Sequence, residues 1–230
     1  MAHYLIIGAS SGIGREVVNQ LISSGHQVTA TYNNHNADLD SAVTWHHFNA
    51  IDAEPIINWM PDHLDGVVYC PGSIQLKPFH RIHAQQFADD YQLQVSGMIR
   101  ILQAAYPALK KSSHAAVVMY STVAVQRGFT FHTLVSASKG AIEGFARALA
   151  AEWAPSIRVN VIAPSITDTP LAEGLLNTAE KIDANAQRHP LKRIGTAQDI
   201  AKMTTFLLSP DSAWITGEIL HVDGGMHSIK

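Results

Sequence analysis

The clearest chemistry in this chain lies in three glycines, spaced Gly8-x3-Gly12-x-Gly14. They stand in Leu5-Ile6-Ile7-Gly8-Ala9-Ser10-Ser11-Gly12-Ile13-Gly14-Arg15, where an apolar run passes through a turn into an amphipathic pattern. Gly8 permits a tight turn, Gly12 lets a phosphate approach the backbone, and Gly14 lets a helix pack closely on the strand. Free N–H groups at the start of that helix, with its dipole, favour a pyrophosphate. Gly8, Ser10, Ser11, Gly12, Ile13, Gly14 and Arg15 are therefore the candidate phosphate-binding segment of a dinucleotide site. Other reactive residue types form no comparable pattern. Cys70 is the one cysteine and has no basic neighbour in sequence to activate it. Thirteen histidines make the charge sensitive to pH near 6.5. His46 and His47 would point to opposite faces of a strand, and His80 and His83 lack a third ligand, so no metal site is expected.

The glycine turn needs a strand before it and a helix after it, and the chain repeats that order. Apolar runs predict strands over 4–7, 27–31, 44–48, 66–69, 115–120, 157–162 and 219–222. Longer periodic stretches predict helices over 13–24, 55–59, 84–109, 136–153, 171–177 and 197–208. Strand and helix in alternation imply right-handed crossovers and a parallel sheet covered on both faces. Gly66-Val67-Val68-Tyr69 and Ala115-Ala116-Val117-Val118-Met119 are continuously apolar, as strands buried on both faces must be. The expected fold class is α/β: a single doubly wound parallel sheet of Rossmann type, with residues 1–230 as one domain. At 230 residues, 47% hydrophobic and 15% charged, the chain has ample core and is not disordered. A net charge of −3 leaves no basic surplus for nucleic acid. No apolar stretch reaches the roughly 18 residues of a membrane span. The N-terminus lacks a secretory pattern, and one cysteine fits a reducing compartment, so a cytoplasmic protein is expected. The most loop-like part, 165–195, is opened by Asp168, Thr169 and Pro170; it lies where a substrate lid would cover the ligand crevice.

The glycine spacing resembles that of the short-chain dehydrogenase/reductase family, and other segments extend the likeness from about 4 to 225. Val159-Asn160-Val161-Ile162-Ala163-Pro164-Ser165 resembles the family's strand and Pro-Gly turn, with Ser165 in place of glycine. Ser136-Ala137-Ser138-Lys139-Gly140-Ala141 resembles the start of its catalytic helix. Ile215-Thr216-Gly217-Glu218-Ile219-Leu220-His221-Val222-Asp223-Gly224-Gly225 resembles its last strand and turn. The resemblance implies hydride transfer between a nicotinamide cofactor and a carbonyl or alcohol. In the family a tyrosine donates the proton, and a lysine one helical turn later lowers the tyrosine's pKa and holds the nicotinamide ribose. A serine bonds the substrate oxygen and an asparagine completes the relay. Carried onto this chain, the lysine is Lys139, but the tyrosine position, four residues earlier, is Val135, which has no proton to give. The serine position falls on Thr122, or on Ser121 with a shift of one residue, and the asparagine position on Gln94. His132 lies near the helix start and is expected to be an ordinary exposed loop histidine; Tyr120 is expected to pack in the sheet.

The likeness also implies the rest of the cofactor site. The turn after the fourth strand contributes Cys70, Pro71 and Gly72, and only Gly72 keeps the family's residue. Pro164, Ser165, Ile166, Thr167 and Thr169 would follow the cofactor past its pyrophosphate, and Asn49 and Ala50 would meet the adenine edge. An acid at the end of the second strand would accept the adenosine ribose of NAD. Tyr32 stands there instead, with Asn33 and Asn34 beyond it and Arg15 able to reach a 2′-phosphate, so NADP(H) is expected over NAD(H). The expected function is an NADP(H)-dependent oxidoreductase of a small carbonyl or alcohol substrate with a degenerate proton relay. The alternative is a catalytically impaired nucleotide-binding sensor or partner subunit. The helices over 84–109 and 136–153 carry small residues beyond one core stripe (Ala104, Ala105, Ala148, Ala150, Ala151) and look like the family's interface pair, implying a homodimer or homotetramer.

Overall fold

The computed structural model describes residues 1–34, 40–52 and 54–229. Its strands are β1 His3–Ile7, β2 Gln27–Tyr32, β3 Thr44–His47, β4 Gly66–Tyr69, β5 Ala115–Tyr120, β6 Ile157–Pro164, β7 Thr167–Asp168, β8 Gly195–Thr196 and β9 Ile219–Val222. Seven of them form a parallel sheet in the order β3-β2-β1-β4-β5-β6-β9, and β7 pairs with β8 separately. This is a doubly wound, Rossmann-like α/β fold. The register brings Leu5, Val67, Val117 and Val159 side by side on one face. Ile6, Val68 and Val118 line up on the other. Alternate side chains of each strand thus enter different cores, which is why β4 and β5 are apolar throughout.

Each core is closed by helices. On the first face Met98, Ile101 and Leu102 of α3 (Gly97–Leu109) and Ile142 and Ala146 of α5 (Thr133–Trp153) cover the sheet. On the second, Val17, Val18 and Leu21 of α1 (Gly12–Ser23) pack beside Ile200, Ala201 and Leu207 of α8 (Ala197–Leu208). The chain leaves β1 in one direction toward β2 and returns beyond it to form β4. A crevice opens where these directions diverge, at the carboxyl ends of β1 and β4.

Several elements depart from the sequence expectation. The helix predicted over 84–109 is two, α2 (Ala84–Tyr91) and α3, joined by a π-helical turn, Gln92–Ser96. No helix forms over 55–59 among the described residues; the Trp59 ring stacks on His46 at 4.9 Å and its indole N–H donates to the Ile56 carbonyl. Five residues are too few to repay helix nucleation without a buried stripe. The helix expected from 136 starts earlier, at Thr133. Residues 171–177 form a 3₁₀ turn, Pro170–Ala172, then α6 (Glu173–Leu176). Two further helices were not foreseen, α4 (Ala124–Arg127) and α7 (Ala179–Gln187).

Candidate active site

A cavity of about 760 Å³ occupies the crevice at the carboxyl ends of the central strands. Its floor is the glycine turn. Gly8 has φ +74° and Gly12 φ +55°, conformations that favour glycine. The turn is pinned to β2, since Gly8 N–H donates to Thr31 Oγ1 and Ala9 N–H to the Thr31 carbonyl. A Cβ at Gly14 would lie 2.5 Å from the Gly8 carbonyl oxygen, so close packing of helix on turn requires glycine there. A Cβ at Gly12 would project to 3.4 Å from Thr169 Cβ across the cleft. Ser11 caps α1 with extended backbone, its side chain makes no capping bond, and the first turn carries no acidic residue. The first N–H groups of α1 and its positive dipole end are thus available to an anion, and the uncovered glycine backbone suits a pyrophosphate.

Lys139 and Val135 stand one turn apart on the wall formed by α5, and both line the cavity. Lys139 Nζ donates to the Tyr120 carbonyl at 2.9 Å. Burial pulls its pKa down to about 8, while Asp90 and Cys70 act in the opposite direction. Val135 is buried and presents only carbon to the cleft. Of the two candidate hydroxyls, Ser121 donates to the buried Glu143, whereas Thr122 is half-buried on the cavity wall and accepts from Ala124 N–H at 3.3 Å. Thr122 is thus the less committed of the two. Gln94 lies in the π-helical turn, fully buried behind Gly72; its Nε2 donates to Asp90 at 2.8 Å, and its Oε1 has no partner among the described residues. Burial pushes the Cys70 thiol up to about 12, which disfavours the thiolate. Tyr120 lines the cavity, but its hydroxyl is bonded to Thr204 at 2.8 Å. His132, expected to be exposed, is half-buried on the cavity wall with Nδ1 against the Thr130 carbonyl at 2.8 Å.

The same cavity brings together most of the segments expected to touch a cofactor. Ser10, Ser11, Ile13, Asn33 and Asn34 line it beside the glycines. So do Ala50, Cys70, Pro71, Gly72, Pro164, Ser165, Ile166, Thr167 and Thr169. Arg15, Tyr32 and Asn49 do not line it. The Tyr32 ring meets His47 at 5.7 Å, and the Asn49 amide is used within its own turn, donating to Asp52 at 2.8 Å. The sequence reading missed Asp90, whose position four residues before Gln94 on one helix was the available signal. It also missed apolar lining outside the expected lid, from Leu93, Phe129 and Met226. Among the described residues no three His, Cys, Asp or Glu side chains are grouped to hold a metal ion.

A family model described as enoyl-(acyl carrier protein) reductase matches residues 8–227. A solved short-chain type dehydrogenase/reductase from Mycobacterium ulcerans superposes with TM-score 0.89 at 25% identity, covering 100% of this chain and 90% of that one. The chain belongs to the short-chain dehydrogenase/reductase family. This short-chain dehydrogenase/reductase is also 30% identical to the uncharacterized oxidoreductase YmfI of Bacillus subtilis, over 97% of this chain and 98% of that protein. A tropinone reductase homolog of Arabidopsis thaliana is 30% identical over 96% and 90% of the two chains. The solved structure of ElxO with NADP bound superposes at TM-score 0.89 and 25% identity, covering 99% of this chain and 100% of ElxO. The short-chain dehydrogenase/reductases are oxidoreductases that bind NAD(P), and the uncovered glycine backbone of the cleft has a shape that suits the pyrophosphate of such a group.

Proposed function

We propose that this short-chain dehydrogenase/reductase is an NADP(H)-dependent oxidoreductase of a small carbonyl or alcohol substrate, working through a proton relay that lacks the family's tyrosine. The observation that carries the reading is Val135, an apolar residue on the cleft wall one turn before Lys139. When bound, the nicotinamide supplies or accepts the hydride. Lys139 holds its ribose through the ammonium, and Thr122 donates a hydrogen bond that orients the substrate oxygen. Gln94 backs Lys139 from behind Gly72, and water or another group brings the proton that a phenol would have given. The glycine turn with Ser10, Ser11 and Ile13 carries the pyrophosphate, with Thr169 opposite. The preference for NADP(H) is supported by Asn33 and Asn34 on the cavity, by the lack of an acid at Tyr32, and by the NADP bound in ElxO. Arg15 is the residue we assign to the 2′-phosphate.

The wider reading follows from the same fold. We take residues 1–230 as one domain and 165–195 as the substrate lid, since Leu171, Leu175 and Arg188 from that segment line the cavity. Tyr106 on α3 and Ala148 and Ala151 on α5 are exposed, which supports a homodimer or homotetramer built on these helices, whereas Ala105 and Ala150, expected outside the core stripe, are buried in the core. No helix among the described residues is long and apolar enough to cross a membrane. The single cysteine suits a reducing compartment, and we place the protein in the cytoplasm.

A second reading is favoured by Val135 itself: a sensor or partner subunit that binds the nucleotide without turnover. NADPH oxidation with a panel of carbonyl compounds, set beside the calorimetric affinity for NADPH, separates the two. Binding with slow turnover supports the oxidoreductase, binding with none at all supports the sensor, and failure to bind NADPH overturns both.

A further inference from the structure

We propose, building on the cofactor reading above, that Asp90 is a positioning residue of this site: its buried carboxylate fixes Gln94 and is the negative charge that keeps Lys139 an ammonium. Asp90 lies in the last turn of α2, two residues before the π-helical turn, and is 3% exposed. It accepts from the Ser73 hydroxyl, from Gln94 Nε2 at 2.8 Å and from the Ser138 hydroxyl at 2.6 Å. These donors come from three segments: the loop after β4, the π-helical turn, and α5 at the residue preceding Lys139. One carboxylate therefore ties together the parts of the wall that hold Lys139.

A buried carboxylate is costly unless hydrogen bonds and a positive charge compensate it. Asp90 has the hydrogen bonds, and no cation lies in salt-bridge contact with it among the described residues. The cation it acts on through space is Lys139, whose proton it helps retain against the cost of burial. The other groups around Lys139 are the half-buried Cys70, which acts in the same direction as Asp90 and to a smaller extent, and the Tyr120 carbonyl, which accepts from Nζ. Glu143, one turn further along α5, is turned instead to Ser121 and Gln126.

Gln94 shows the positioning directly. Because its Nε2 is held by Asp90, its Oε1 must point the other way, toward Gly72. A Cβ placed on Gly72 would lie 3.4 Å from that oxygen and 3.7 Å from Lys139 Nζ. A buried, unpartnered acceptor and an ammonium thus flank the same small residue at the edge of the cavity. Without Asp90 the amide would be free to reverse, and Lys139 would lose its proton at lower pH.

The test measures Lys139 itself. Its acylation by an amine-selective reagent, followed by peptide mass spectrometry between about pH 6 and 11, gives the pH at which it loses its proton. In Asp90→Asn that midpoint should fall by about one pH unit, a tenfold change in proton affinity. NADPH affinity near pH 8 should fall several-fold in the same variant, and Asp90→Glu, which keeps the charge, should restore both. An unchanged midpoint in a folded Asp90→Asn protein would overturn the proposal, as would an equal drop in Asp90→Glu. If Asp90→Asn does not fold, Asp90→Ser, which also removes the charge, carries the same prediction. Should the unmutated protein fail to bind NADPH, the cofactor reading falls, while the Lys139 midpoint still decides the role of Asp90.

Discussion

Gly12 and Thr169 face one another across the narrow part of the cleft, so one added side chain there should decide whether a pyrophosphate fits. Gly12→Val adds a branched group to a backbone at φ +55° and fills the gap toward Thr169. We expect it to weaken NADPH binding at least tenfold, about 1.4 kcal/mol, by calorimetry; unchanged affinity would mean that the phosphates lie elsewhere. Arg15 tests the choice of nucleotide. Arg15→Ala should cost NADPH about 1.5–3 kcal/mol of binding and NADH little, since a charged hydrogen bond to the 2′-phosphate contributes on that order. Equal losses for the two nucleotides, or tighter NADH binding by the unmutated protein, would overturn the NADP(H) assignment. At this scale the sequence was informative only in part. It left Ser121 and Thr122 both open, because neighbouring hydroxyls look alike until one is seen bonded to Glu143. It counted His132 as an exposed loop residue because nothing local reveals that the cleft wall passes beside it.

The elements divide by how deeply they are buried. β4 and β5 were legible because strands covered on both faces must be apolar at every position, and α1 and α8 because each buries a periodic stripe. α7 was not legible: none of its nine residues is buried, so no periodic pattern marks it. The π-helical turn inside the expected long helix was also hidden, since one extra residue in a turn changes which side chains face the site without changing composition. α7 is anchored at its end by His189, which bonds the Asn185 carbonyl and the Ser165 hydroxyl, both at 2.8 Å. A helix with no buried residue, tied to α6 by surface bonds such as Lys181 Nζ to Asn177 Oδ1 at 2.8 Å, belongs to the part of a fold that opens at low cost. If 165–195 is a lid, hydrogen exchange in α6 and α7 should slow when NADPH and a substrate analogue are added, while exchange in β5 stays the same. Equal exchange in α6 and α7 with and without ligand would make the segment a passive surface insertion.

At the scale of the whole molecule, the surface carries large apolar side chains that a lone chain leaves exposed. Tyr106 on α3, Phe206 on α8 and the fully exposed Trp214 are among them. Fully burying an exposed ring such as Trp214 contributes on the order of 1.5–3 kcal/mol, and Tyr106 and Phe206, already more than half covered, would add less. Light scattering at micromolar concentration should therefore report a dimer or tetramer, and a species of single-chain mass alone would count against the interface proposed on α3 and α5. Turnover itself hangs on one position inside the cleft, Val135. Among the described residues Tyr120 is the only tyrosine lining that cleft, and its hydroxyl is engaged by Thr204. If Val135 stands in the general acid's place, as proposed, turnover should be slower by about 10²–10⁴-fold, while positioning by the cofactor site persists. The decisive measurement is carbonyl reduction at saturating NADPH by the unmutated protein and by Val135→Tyr, side by side. Slow turnover is expected in the first, and a faster rate in the second provided the phenol reaches Thr122 and Lys139. Ordinary family rates in the unmutated protein, abolished by a Phe substitution at Tyr32, Tyr69, Tyr91, Tyr106 or Tyr120, would contradict it.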